Sequence, residues 1–156
     1  MPFALAFRIA ALTDSNLSRM IAKETHGPYS HVECWIDGPR TSAVCWSSRE
    51  PVGVGEAVIN LTEPSWQIVP IPTTLEQDDH ILWFCRGSDG KMYDFIAVAG
   101  IQTKTWVHKT FARMCSEFCV EVVQRCIGML PHEPMWTISP NRLATILNVT
   151  PPEGAE

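Results

Sequence analysis

Apolar residues run from Ala4 to Ala10 with one interruption at Arg8, a short run that predicts a strand. From Asp14 the period lengthens. Asp14 or Ser15 is placed to cap a helix, and Leu17, Met20 and Ile21 share one face, so a helix ending near Thr25 is expected. His26-Gly27-Pro28-Tyr29 reads as a loop. Ser30 to Asp37 then reads as a strand, Gly38-Pro39 as a turn and Thr41 to Ser47 as a returning strand, which together make a β-hairpin. Further strands are expected at Glu56 to Leu61, Trp66 to Ile71 and His80 to Cys85, with the polar stretch Pro72 to Asp79 as a connecting loop. Pro70 and Pro72 place the Trp66 strand at a sheet edge or end it early, because proline cannot donate to a ladder.

After Gly87-Ser88-Asp89-Gly90 the pattern turns helical. Tyr93 to Ile101 reads as one helix and Arg113 to Ile127 as another, in which Cys115, Phe118, Cys119, Val122 and Cys126 form an apolar face. Ser139-Pro140 reads as a cap and first helical residue, opening a short helix through Leu147; residues 149–156 are expected to fray. Strands come first and helices later, so the expected fold is α+β, in one domain over residues 1–156.

Composition narrows the function classes. The chain has 156 residues, 19% of them charged, with 12 Lys+Arg against 17 Asp+Glu. This balance gives no basic footprint for nucleic acid. No apolar run reaches the ~20 residues of a membrane-spanning helix, and the first apolar run lacks the basic start of a secretion signal. A cytoplasmic or virion-associated protein is expected. The six cysteines are read as reduced thiols, since a chain of this length without a secretion signal is not a disulfide scaffold. None form a C-x-x-C pair. Sharing a metal among Cys115, Cys119 and His31 is the one arrangement the spacing leaves, so no metal and no cofactor is expected.

A reactive cysteine is favoured at a helix N-terminus, where free N–H groups and the helix dipole stabilise a thiolate. Cys115 occupies that place, whereas Cys119 and Cys126 lie deeper on the same face, and Cys34, Cys45 and Cys85 read as strand packing. A base is also needed. His31 begins the strand on which His31, Glu33 and Trp35 share one face, with Val32, Cys34 and Ile36 on the other.

Leu17-Ser18-Arg19-Met20-Ile21 followed by Gly27-Pro28-Tyr29-Ser30-His31-Val32 resembles the start of the circularly permuted NlpC-type papain-like proteins, including the YiiX-like group. Gly90-Lys91-Met92-Tyr93-Asp94 is similar to that family's G-x-x-Y-D element, and Met114-Cys115-Ser116-Glu117-Phe118 to its C-S-E nucleophile motif. Ser139-Pro140 with Leu143 resembles the closing segment. The order, histidine before cysteine, is the reverse of ordinary papain-like enzymes.

The resemblance implies a papain-like core, with an antiparallel sheet carrying His31 packed against the Cys115 helix. It also implies a cysteine hydrolase that cleaves an amide bond in a peptide, glycopeptide or peptidoglycan-like substrate. Acyl transfer or ester hydrolysis on a lipid is the alternative activity, and an inactive binding or virion-associated module the non-enzymatic one. By analogy Cys115 attacks the carbonyl, His31 moves the proton, the Cys115 N–H holds the oxyanion, and Tyr93 lines the site. The residue that orients His31 is left between Glu33, on the same strand face, and Ser47; a turn centred on Gly38-Pro39 would set His31 opposite Trp46 or Ser47. Trp35 and Trp46 are candidates to line a substrate groove.

Overall fold

The description rests on a computed structural model and covers residues 3–11, 14–94, 112–130 and 134–153. Five strands form one antiparallel sheet: β1 (Ala4–Ile9), β2 (Tyr29–Asp37), β3 (Ala43–Arg49), β4 (Gly53–Ile59) and β5 (Trp66–Pro70). Their order is β4-β3-β2-β1-β5, so the strand ending in Pro70 lies at an edge as its prolines require. Four α-helices are described: α1 (Asn16–Glu24), α2 (Leu75–Gly87), α3 (Cys115–Val122) and α4 (Pro140–Ile146). The short strands β6 (Met92–Tyr93) and β7 (Ala112–Arg113) pair in parallel immediately before α3. The chain is therefore α+β, and none of the described helices is long and apolar enough to cross a membrane.

Alternation along β2 sorts its side chains to two faces. Val32 and Cys34 enter the main core with Phe7, Trp46, Val54 and, from α3, Phe118, Cys119 and Val122. Trp35 faces a second, smaller cluster of Ala6, Ala43, Cys45, Leu61 and Trp66. Ile59 of β4 and Ile68 of β5 come from opposite sides of the sheet and pack on that same small cluster, so the sheet curls around it.

Several expectations are corrected. The expected loop holds only to Thr74: from Leu75 the rest of it, and the strand expected from His80, form helix α2. Thr74 Oγ1 accepts the Gln77 N–H at 3.2 Å while Gln77 Oε1 accepts the Thr74 N–H at 2.8 Å, a reciprocal cap that starts a helix whose Ile81 and Cys85 are buried one turn apart. The helix expected over Tyr93 to Ile101 begins instead as β6, and residues 95–101 lie outside the described residues. Arg113 belongs to β7. The α3 helix starts at Cys115, and Val123–Ile127 continues it as a π-helix closed by Gly128 at φ 75°.

The β2–β3 register also differs from expectation. A 3₁₀ turn at Arg40–Ser42 lengthens the connection and a ladder irregularity falls between Trp35 and Asp37, so Trp46 pairs with Cys34, not with His31. At the other end, the expected fraying is absent at its first residues: the Val149 N–H bonds to the Ala144 carbonyl at 2.9 Å, and Gln67 Nε2 donates to the Thr150 carbonyl at 2.7 Å.

Candidate functional site

The entry to β2 is fixed by a side chain more than 100 residues away in sequence. Asn141 of α4 accepts the Tyr29 N–H at 2.9 Å and donates to the Tyr29 carbonyl at 2.8 Å and to Thr25 Oγ1 at 2.6 Å. Gly27 has no side chain because a Cβ there would lie 2.4 Å from Asn141 Oδ1. The strand is thus anchored two residues before His31.

His31 Nε2 lies 2.7 Å from Glu33 Oε1, on the same strand face. Glu33 is 1% exposed and is held by Arg49, whose Nε donates to Oε1 at 2.9 Å and whose Nη2 donates to Oε2. Arg49 Nη1 in turn donates to the Gly55 carbonyl at 2.8 Å. A carboxylate only accepts, so the proton of the His31–Glu33 bond sits on Nε2 and Nδ1 is left for the other partner of the ring. Cys115 is close enough to act on the imidazole through its charge and through hydrogen bonding. Burial works against the imidazolium, but negative charge on Cys115, its hydrogen bond and the Glu33 carboxylate outweigh it and push His31 from 6.5 up to about 10.

Cys115 is the first residue of α3. The Glu117 carboxylate accepts the Met114 N–H at 2.7 Å and fixes the turn, while the Phe118 N–H makes the first return bond, to the Met114 carbonyl at 3.1 Å. The amides of Cys115, Ser116 and Glu117 precede that bond, at the end of the helix where a developing negative charge is stabilised. Tyr93 is buried beside them. Burial first, then the negative charges of Cys115, Glu50, Asp94 and Glu117, push its phenol far upward, so it remains a protonated donor.

A cleft of about 500 Å³ opens along the curled face beside α1. His31, Glu33, Arg49 and Tyr93 form its polar end, and Leu17, Ile21, Ala57, Ile59 and Trp66 give it an apolar wall. Cys115 is 1% exposed and does not line the cleft as His31 and Tyr93 do, so its sulfur is covered.

Of the residues singled out in the sequence, Cys115, His31, Glu33 and Tyr93 come together. Ser47 does not join them, since its hydroxyl is buried and donates to the Val32 carbonyl at 2.7 Å. Trp46 is turned into the main core by its pairing with Cys34. Trp35 packs on the smaller cluster, with its indole N–H on the Asp37 and Gly38 carbonyls at 2.8 and 3.2 Å; neither tryptophan lines the cleft, and Trp66 does. Cys119 is turned away from His31, with its sulfur 3.4 Å from Cys34 Sγ and 3.6 Å from the Val32 carbonyl.

Sequence reasoning missed Arg49 and gave Arg8 no role beyond breaking an apolar run. The available signal for Arg49 was a lone cation ending the strand that returns beside Glu33. Compared with known proteins, the chain matches no family profile and no curated protein.

Proposed function

We propose that the chain is a cysteine hydrolase of the permuted NlpC-type papain-like kind, acting on an amide bond of a peptide or peptidoglycan-like substrate. One observation carries the reading: a single imidazole lies between a helix-start cysteine and a buried carboxylate that is itself clamped by Arg49. Motif order, His31 before Cys115 with Tyr93 between, supports the permuted form.

The reaction follows from these positions. Cys115 Sγ attacks the carbonyl carbon and forms the C–S bond, and the oxyanion is held by the Cys115 N–H and the Tyr93 phenol. Protonated His31 gives its proton to the leaving nitrogen as the C–N bond breaks. A water then loses a proton to His31 and attacks the thioester; the C–S bond breaks, releasing the acid and restoring the thiolate beside protonated His31. Glu33 keeps the imidazole in the required tautomer throughout.

Burial of Cys115 favours a second reading, a binding module that keeps the arrangement without turnover. Incubation with a library of N-acylated peptide amides and with acyl esters separates the two, using mass spectrometry to detect products and any acyl group on Cys115. The hydrolase reading expects amide products, and a transient adduct that is lost in Cys115→Ala. Adducts from lipid esters alone point to acyl transfer, and no product or adduct from any donor supports the module.

A further inference from the structure

The ladder between β1 and β2 skips one residue. Arg8 pairs with His31 and Ile9 pairs with Tyr29, so Ser30 is the extra residue of a β-bulge directly beside the proposed base. Bulges re-aim side chains. Ser30 lines the cleft, is 2% exposed, and its hydroxyl has no hydrogen-bond partner among the described residues. Across the ladder, Arg8 lines the same cleft. Its Nη2 donates to Asp14 Oδ1 at 2.9 Å, its guanidinium lies 5.9 Å from the Trp66 ring centroid, and its buried Nε–H also has no partner among the described residues. Buried polar groups are almost always bonded, so two orphans lining one cleft mark where a ligand bonds.

The geometry points to Arg8 and Ser30 as a subsite for a neutral carbonyl oxygen, the one neighbouring the scissile amide of a peptide-like substrate. Asp14 offsets the charge of Arg8, and Nε–H is the buried guanidinium donor left without a partner among the described residues, which suits the single acceptor of an amide carbonyl better than a two-pronged carboxylate. Trp66 lies beside Arg8, and Leu17 and Ile21 line the same cleft, so the substrate residue between that carbonyl and the scissile bond carries an apolar side chain. Residues paired across antiparallel strands sit about 5 Å apart, and an extended substrate advances about 3.3 Å per residue, so a carbonyl at Arg8 reaches His31 with its neighbour. This deepens the hydrolase reading and rests on it only for which bond is cut.

The test uses the full chain carrying Cys115→Ala, titrated by NMR with N-acetyl-leucine methylamide. Two comparison ligands are its N-trifluoroethyl isostere, which lacks the acetyl carbonyl, and 4-methylpentanoate, which carries a carboxylate. The amide is expected to bind tightest. Ser30→Ala should weaken it about five- to tenfold, leave the isostere unchanged, and leave the melting temperature equal or higher, because an unbonded buried hydroxyl has been removed. No binding of the amide, equal binding of the isostere, tighter binding of the carboxylate, or an unchanged amide affinity in Ser30→Ala would each overturn the subsite. Amide binding in the expected pattern without peptide turnover by the unsubstituted protein keeps the subsite and removes the hydrolase reading. Turnover with a KM unmoved by Ser30→Ala does the reverse.

Discussion

Arg49 grips the buried Glu33 carboxylate from two guanidinium nitrogens, Nε to Oε1 at 2.9 Å and Nη2 to Oε2, while Glu33 Oε1 also meets His31. Three ionisable side chains therefore form one chain of bonds, in which the innermost member has almost no contact with water.

Removing Arg49 takes away both guanidinium bonds and leaves that buried carboxylate with His31 alone as its charged partner. Arg49→Met is expected to lower the unfolding free energy by about 3–5 kcal/mol. Arg49→Lys should recover part of the loss, since it restores the charge without the two-pronged geometry. Urea denaturation of both variants checks this, and a change within about 0.5 kcal/mol for Arg49→Met would show that the clamp contributes little.

The raised value of His31 has a pH signature. Folding lifts the imidazole from 6.5 to about 10, so the stability contributed by protonated His31 is fully present below about 6.5 and is lost as pH rises toward 10. Glu33→Gln removes one of the charges that raise it, and Cys115→Ala removes another. Each should move the imidazole titration, followed by NMR, toward the ordinary value. A wild-type His31 that titrates near 6.5 contradicts the arrangement.

Asn141 and Gly27 should act as a unit. Asn141→Ala abandons the buried N–H and carbonyl of Tyr29, an expected cost of about 2–4 kcal/mol. Gly27→Ala drives a Cβ to 2.4 Å from Asn141 Oδ1 and is expected to cost about 1–3 kcal/mol. In the double variant the collision is gone, so the two losses should sum to more than the measured total. Strict additivity by thermal or urea unfolding would show that the two positions do not meet.

What the sequence made legible was local. Helical spacing and a first-turn position singled out Cys115, and strand alternation placed His31 and Glu33 on one face, where they bond at 2.7 Å. His80 to Cys85 reads as a strand from its six-residue run alone, whereas the Thr74–Gln77 pair ahead of it forms a reciprocal cap, the stronger helix signal. A two-residue turn at Gly38-Pro39 would set Ser47 near His31, level with Glu33 as its orienting partner. The added 3₁₀ turn and ladder irregularity shift the register, and no hydrophobic pattern announces either. Arg49 and Asn141 act across 16 and 112 residues of chain, and partners at such separations are set by tertiary packing.

The central claim is that His31 activates Cys115, and the alkylation rate of that thiol tests it most directly. Burial raises the thiols of Cys34, Cys45, Cys85 and Cys126, to about 12 for Cys45 and about 11 for Cys126, which slows their reaction in the folded protein. Iodoacetamide at neutral pH, with the labelled cysteine located by peptide mapping, should modify Cys115 first, and His31→Ala should slow that modification at least about tenfold. Equal rates in the two proteins, or a faster reaction at any other cysteine, would contradict the account.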